Sequence, residues 1–318
     1  MVDLSTTIGS LSLANPVMPA SGTFSDELAQ VIDLDRIGAC VIKTITREFR
    51  AGNPTPRVAE TGGGMLNSIG IPSKGLGDFL DRIVPVYRRI QAPLIASVSA
   101  NTTADFAALC RDVSVDGVEA IEVNISCPNL EADGHAFAMR PDLTEEVITE
   151  IRKATTLPIW AKLTPNTGDI AGVARAAEAG GADAVVVANT ILGMSIDLTT
   201  FRPSLGSGMG GFSGPAVKPI LLRMAYQCSR AVSIPVIGCG GISTASDALE
   251  YIVAGCSAIQ VGTATFVHPT AMITVLEGLE AFCRERGLAR LMDIRGAVGA
   301  VGETAGDLPA QPVPAEAV

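Results

Sequence analysis

The chain has 318 residues, 47% hydrophobic but only 4% aromatic, so its core must be mainly Ala, Val, Ile and Leu, which suits a buried parallel sheet under helices. A formal net charge of −10 argues against a nucleic-acid surface, which needs clustered Lys and Arg. The first basic residue is Arg36, and no apolar run approaches the ~18 residues of a membrane span; a cytoplasmic protein without leader or membrane contact is expected.

In chain order, "LSTTIGSLSLANP" from Leu4 reads as a short hairpin placed before the first strand, as a plug for one end of a barrel. Strand-like apolar runs then recur: "PVMPAS" from 16, "ACVIKT" from 39, "PLIASV" from 93, "AIEVNI" from 120, "PIWAKL" from 158, "AVVVAN" from 184, "IPVIGCG" from 234 and "AIQVGT" from 258. Most are continuous rather than alternating, the pattern of parallel strands buried on both faces. Helical patterns fall between them, at roughly 25–33, 75–90, 103–113, 143–155, 169–180, 215–231, 244–254 and 270–286. Ser25-Asp26-Glu27, Thr144-Glu145-Glu146 and Thr244 read as helix starts, and Gly180-Gly181 and Gly255 as C-terminal caps. Eight βα repeats in order predict an α/β protein of the TIM (β/α)8 barrel class rather than an open doubly wound sheet. Residues 1–300 are expected to form its single domain, and 301–318, rich in Pro and Ala, a flexible tail.

A barrel of this kind keeps its chemistry at the C-terminal strand ends. Those ends supply Ser21, Lys43-Thr44, Ser97, Asn124, Lys162, Asn189-Thr190, Gly240-Gly241 and Gly262-Thr263. Two lysines there close otherwise apolar runs, where a charge without a partner is costly; the ordinary alternative is a buried stem with its head in solvent. Asn67, Asn124, Asn129 and Asn189 form a second set. Each amide offers donors and an acceptor that suit a ring whose edge alternates N–H and C=O, although Asn is also a common turn residue. The glycines after the seventh and eighth strands fall where such barrels bind phosphate on backbone N–H groups. A formal GxGxxG match at Gly206, Gly208 and Gly211 lacks the preceding strand and the later acidic residue of a dinucleotide site, so no nicotinamide site is expected there.

The seven cysteines (40, 110, 127, 228, 239, 256 and 283) are scattered without a CxxC pair, and the chain has two histidines, His135 and His268. Neither a disulfide framework nor a zinc, iron–sulfur or other metal centre is expected. Cys127, just past the fourth strand in "NISCPN", admits two readings. It is an inert buried thiol, like most free cysteines, or a base acting on a carbon acid, since a thiol titrates near pH 8.5.

Taken together, "VIKTIT", "GNPTPR", "MLNSIGI", "NISCPN", "AKLTPN", "VANT", "GGFSGPAVKP", "GCGGI" and "QVGTA" resemble the dihydroorotate dehydrogenases of the cytosolic, cysteine-base class 1 type, in order from about residue 3 to 300. The resemblance implies an FMN-binding catalytic barrel that oxidises (S)-dihydroorotate to orotate in de novo pyrimidine (UMP) biosynthesis. It makes Cys127 the base for the C5 proton, with the C6 hydride passing to N5 of FMN. It assigns substrate contacts to Lys43, Asn67, Ser68, Ile69, Gly70, Ile71, Asn124, Asn129, Asn189 and Thr190. Flavin contacts fall to Ser21, Lys43, Thr44, Ser97, Asn124, Lys162 and Ala188, and phosphate contacts to Gly214, Gly240, Gly241, Gly262 and Thr263. Ser97 departs from the pattern, standing where many relatives have Asn.

"TATFVHP" and "REFRAGNPTPR" are more similar to the NAD-linked class 1B form than to the fumarate-reducing class 1A form. That likeness implies a partner subunit carrying FAD and a 2Fe–2S cluster, in a heterotetramer of two catalytic and two electron-transfer chains, through which electrons reach NAD. Alternatives are a dihydropyrimidine dehydrogenase-like enzyme reducing uracil or thymine, a tRNA dihydrouridine synthase, and a flavin-binding interaction subunit without activity. "LEADGHAFAMRP" after the thiol reads as a lid.

Overall fold

The computed structural model describes residues 2–25, 30–126 and 136–299. Cys127, Asn129, His135, the first half of the lid segment and the 301–318 tail lie outside the described residues, as does the middle of the helix expected at 25–33.

Eight parallel strands form the central sheet among the described residues: Val17–Pro19 (β1), Cys40–Val41 (β2), Leu94–Val98 (β3), Ala120–Asn124 (β4), Ile159–Lys162 (β5), Ala184–Val187 (β6), Val236–Cys239 (β7) and Ala258–Val261 (β8). Their spatial order is β1-β8-β7-β6-β5-β4-β3-β2. The two end strands meet where Gly38 N–H donates to the Val17 carbonyl at 2.7 Å. This is the expected TIM barrel, and each strand lies within its predicted apolar run.

Helices follow the strands, and their sequences show why. Thr103–Val113 starts where Thr102 accepts a bond from Asp105 N–H, and it buries Phe106, Leu109, Cys110 and Val113 at helical spacing. Ala245–Val253 opens with a capping box between Thr244 and Asp247. The helix expected to start at Thr144 begins instead at Pro141 and runs to Ala154. Proline suits that first turn because its missing N–H would have no partner there, and Thr144 lies inside the helix, donating to the Arg140 carbonyl at 2.8 Å. The helix at 75–90 is broken: Leu76–Asp78 leads through a wide π turn, Phe79–Ile83, into Val84–Tyr87. The ladder widens just ahead of Pro85, which has no N–H to contribute.

Strand alternation divides the core in two. One set of side chains packs outward under the helices. The other fills the barrel, with Met18, Val41, Ile95, Ala120, Trp160, Val186, Ile237 and Ala258 in contact, and is closed from below by Ile8 and Leu13. Those last two belong to the predicted hairpin, Thr6–Ile8 against Leu11–Leu13. The later half of the lid segment is also core: Ala136, Phe137 and Ala138 are buried, and Phe137 meets Phe106 edge-on at 6.0 Å.

One feature was not expected from periodicity. Val58–Thr61, Gly64–Asn67, Gly210–Ser213 and Ile191–Gly193 form a four-stranded antiparallel sheet. Its strands come from insertions after β2 and β6. Among the described residues, no helix is long and apolar enough to cross a membrane.

The six described cysteines are all buried. Burial pushes the thiols of Cys40, Cys110 and Cys228 up to about 12, and also raises Cys239, Cys256 and Cys283. These six should therefore resist iodoacetamide at pH 7.5 in the folded protein, as read by peptide mass spectrometry; rapid labelling of several would contradict this packing. Ile8→Ala should lower stability by about 2–5 kcal/mol, seen as a lower urea midpoint, because a fully buried plug residue leaves a cavity; an unchanged midpoint would mean the hairpin does not seal the barrel.

Candidate active site

A cavity of about 860 Å³ lies at the C-terminal ends of the strands, under the antiparallel sheet. Its floor is set by the same alternation that fills the barrel. Two residues beyond Ile95, Ala120, Trp160 and Ala258 stand Ser97, Glu122, Lys162 and Gln260, all buried. The interior thus changes from apolar to polar within one layer.

That layer is internally paired. Lys162 Nζ donates to Gln260 Oε1 at 3.2 Å and to Ser21 Oγ at 3.3 Å, and lies 3.6 Å from Glu122 Oε1. Gln260 Nε2 donates to the other Glu122 oxygen at 2.6 Å. Ser97 Oγ donates to Glu122 Oε1 at 3.2 Å, and Thr44 and Ser97 share a bond of 3.0 Å. Burying either charge alone would cost several kcal/mol, so the pairing is what makes both tolerable. Of this set Lys162 reaches the cavity surface, while Ser21, Thr44 and Ser97 stand behind it in the buried network. Glu122 and Gln260 were not singled out from the sequence. The signal was present: stepping back two residues from Asn124 and from Gly262, along strands of period two, lands on both.

Two of the amides reach the cavity surface. Asn67 and Asn189 line the cavity with Lys43, Ile69, Ala188 and Thr190. Asn189 Nδ2 donates to Ser126 Oγ at 2.6 Å, and Ser126 donates to Asn124 Oδ1 at 2.5 Å, so one hydroxyl fixes two amides. Thr190 N–H holds Asn189 Oδ1 at 2.8 Å. Asn67 Nδ2 donates to the Gly211 carbonyl at 3.2 Å, and a side chain at Gly211 would collide with Thr190 Oγ1. That close approach explains the glycine in the formal GxGxxG match: it belongs to an antiparallel strand, Gly210–Ser213, not to a strand-to-helix turn. Lys43 Nζ donates to the Gly22 carbonyl at 3.2 Å.

The segment from Asn67 to Ile71 leaves the antiparallel sheet beside the cavity. Gly70 and Ile71 take consecutive positive φ values of 75° and 48°, which is strained for a β-branched residue. Ser68 Oγ accepts from Asn53 Nδ2 at 2.7 Å. A Cβ at Gly70 would stand 2.3 Å from Asn53 Oδ1, so Asn53 holds this loop from outside.

Glycines form the opposite end. Gly214, Gly240, Gly241, Gly262 and Thr263 line the cavity. Gly214, Gly240 and Gly241 have φ of 111°, 138° and 70°, open to glycine and strained for other residues. Tyr251 OH donates to the Gly240 carbonyl at 2.8 Å, and Thr263 Oγ1 donates to Ser213 Oγ at 2.8 Å. The end therefore presents main chain, with few side chains over it, which is the surface an oxyanion needs.

The site joins a floor carrying a buried lysine, a wall with amides and a main-chain end. The family model for dihydroorotate dehydrogenase matches residues 3–283. A protein of Trichlorobacter lovleyi named dihydroorotate dehydrogenase B (NAD(+)), catalytic subunit, is 48% identical over 298 residues, covering 93% of this chain and 98% of the relative. Proteins of the same name from Alkaliphilus metalliredigens and Geobacillus kaustophilus are 43% and 46% identical, over 93% and 90% of this chain and 99% and 92% of their own lengths. The chain belongs to the dihydroorotate dehydrogenase family.

Proposed function

We propose that this chain oxidises (S)-dihydroorotate to orotate in de novo pyrimidine biosynthesis, with FMN held in the barrel mouth and NAD reached through a partner subunit. The observation that carries this reading is the cavity where Lys162, the amide wall and the glycine end meet, in a chain of this family. Its volume lies in the range of small-molecule and cofactor sites. Gly214, Gly240, Gly241, Gly262 and Thr263 suit a phosphate; Ala188 and Lys162 suit the edge of a flavin ring. When bound, the flavin supplies the hydride acceptor for the substrate's C6.

The chain's own residues do the rest. Cys127 takes the C5 proton; at a reference pKa near 8.5 a thiol is a few per cent thiolate at neutral pH, enough for a base in contact with its carbon acid. Asn189 spends one N–H on Ser126 and one lone pair on Thr190, so a second N–H and lone pair remain for a cyclic ureide. Asn67, Asn124 and Asn129 complete that recognition. Lys43 and the backbone of Ser68 to Ile71 receive the carboxylate. Thr44, Ser97 and Ser21 act from behind the cavity surface by fixing the floor.

The partner is an FAD and 2Fe–2S subunit, two of each chain forming a heterotetramer in the cytoplasm, with residues 1–300 as the catalytic domain. The names of the relatives, catalytic subunits of an NAD(+)-linked enzyme, support a partner. The antiparallel placement of Gly210–Ser213 supports it too, since the formal GxGxxG match then offers no nicotinamide site.

Cys127→Ala should bind FMN and orotate within about threefold of the parent but be reduced by dihydroorotate about 10²–10⁴-fold more slowly in anaerobic stopped flow at pH 7. Cys127→Ser should regain part of that rate only at higher pH. An undiminished rate in the alanine variant would remove the thiol from the chemistry.

A further inference from the structure

A buried carboxylate lies beneath the cavity as the charge partner of the lysine that reaches it. Glu122 is fully buried in the middle of β4, and one layer below it the barrel is filled by Ala120, Ile95 and Trp160. Apolar side chains at both 122 and 162 would continue that packing, and apolar replacements of whole buried ion pairs are often neutral or stabilising, so the pair is not there to hold the barrel together. The carboxylate is nonetheless fully engaged, accepting from Ser97 and Gln260 and facing Lys162 at 3.6 Å. Gln260 bridges the pair, donating to the carboxylate through Nε2 and accepting from the ammonium through Oε1. The amide plane thus ties the cation's distance to the anion, and Lys162 presents to the cavity a charge already partly offset from behind.

We infer that Glu122 is a positioning residue for the reaction: acting through Lys162, it is the counter-charge that sets how much positive charge the cavity floor offers to a ring that gains electrons. The inference rests on the reading of the cavity as a flavin site. It gives the buried network a direction. Weakening the carboxylate exposes more of the Lys162 charge and makes the bound flavin a stronger electron acceptor; removing the lysine does the opposite. A Glu122 that merely supported the fold would have no such sign, and its loss would resemble the loss of Lys162.

The test uses the FMN-loaded chain and inorganic sulfite, whose sulfur lone pair forms a bond to flavin N5 and leaves the added negative charge on the ring. Glu122→Gln keeps the shape and removes the charge. It should bind sulfite roughly tenfold tighter than the parent, with Lys162→Met roughly tenfold weaker, as expected for one unit charge a few ångströms away in a partly screened site. The flavin midpoint potential against reference dyes should move in the same two directions. Unchanged sulfite affinity in Glu122→Gln, or a change in the direction of Lys162→Met, would overturn the proposal. If Glu122→Gln does not fold, Ser97→Ala serves: it strips one donor from the carboxylate, concentrates its charge on Lys162, and should weaken sulfite binding about two- to threefold; unchanged or tighter binding would be contrary. A parent chain that does not bind FMN would sink the reading of the site. A parent that binds FMN and is bleached by dihydroorotate, with no shift in the variants, would sink this inference alone.

Discussion

The burial of a lysine and a glutamate inside a closed barrel is the constraint on which the site depends. Neither charge is tolerable alone at that depth, and each is satisfied by groups from different strands: Ser97 on β3, Glu122 on β4, Lys162 on β5 and Gln260 on β8. Such a network closes only if the strand registers are right, since a slip of one residue would turn each of these side chains out toward the helices. The pairing of Ser97 with Glu122 and of Asn124 with Lys162 across neighbouring strands keeps that register. Below it, a dry apolar layer and the hairpin plug exclude water, which strengthens the electrostatics above.

The walls have their own support. β6 carries Ala188, Asn189 and Thr190 from the barrel interior to the cavity wall, and Thr190 can stand against the antiparallel sheet because Gly211 has no side chain. Ser126 then couples Asn189 on one strand end to Asn124 on another. Two amides from separate strands are therefore preorganised by one hydroxyl, the kind of support that recognition of a flat polar ring needs. The glycine end works by absence of side chains, and Tyr251 braces it through the Gly240 carbonyl.

The barrel was legible because parallel strands buried on both faces read as unbroken apolar runs, and the helices because their caps and spacing are local. The antiparallel sheet was not legible for the converse reason. Its strands are three or four residues long, rich in glycine and half-exposed, so no period can emerge. Thr144 misled as a helix start because Thr followed by two Glu mimics a cap, while Pro141 fixed the actual first turn. Lys43, Lys162 and the asparagines stood out as polar residues at strand ends. Glu122 and Gln260 escaped because they lie within the apolar runs that defined the strands. Ser21, Thr44 and Ser97 stood at strand ends too, and the geometry gives them a supporting place behind the floor.

The most direct measurement is anaerobic mixing of the purified, FMN-loaded chain with dihydroorotate, followed at the flavin absorbance band, with uracil then offered to the reduced protein. The account predicts bleaching by dihydroorotate and no reoxidation by uracil, since the proposed site takes a ring bearing a carboxylate. A flavin that stays oxidised with dihydroorotate, yet once reduced by other means is reoxidised by uracil, would contradict it and assign the cavity to pyrimidine reduction.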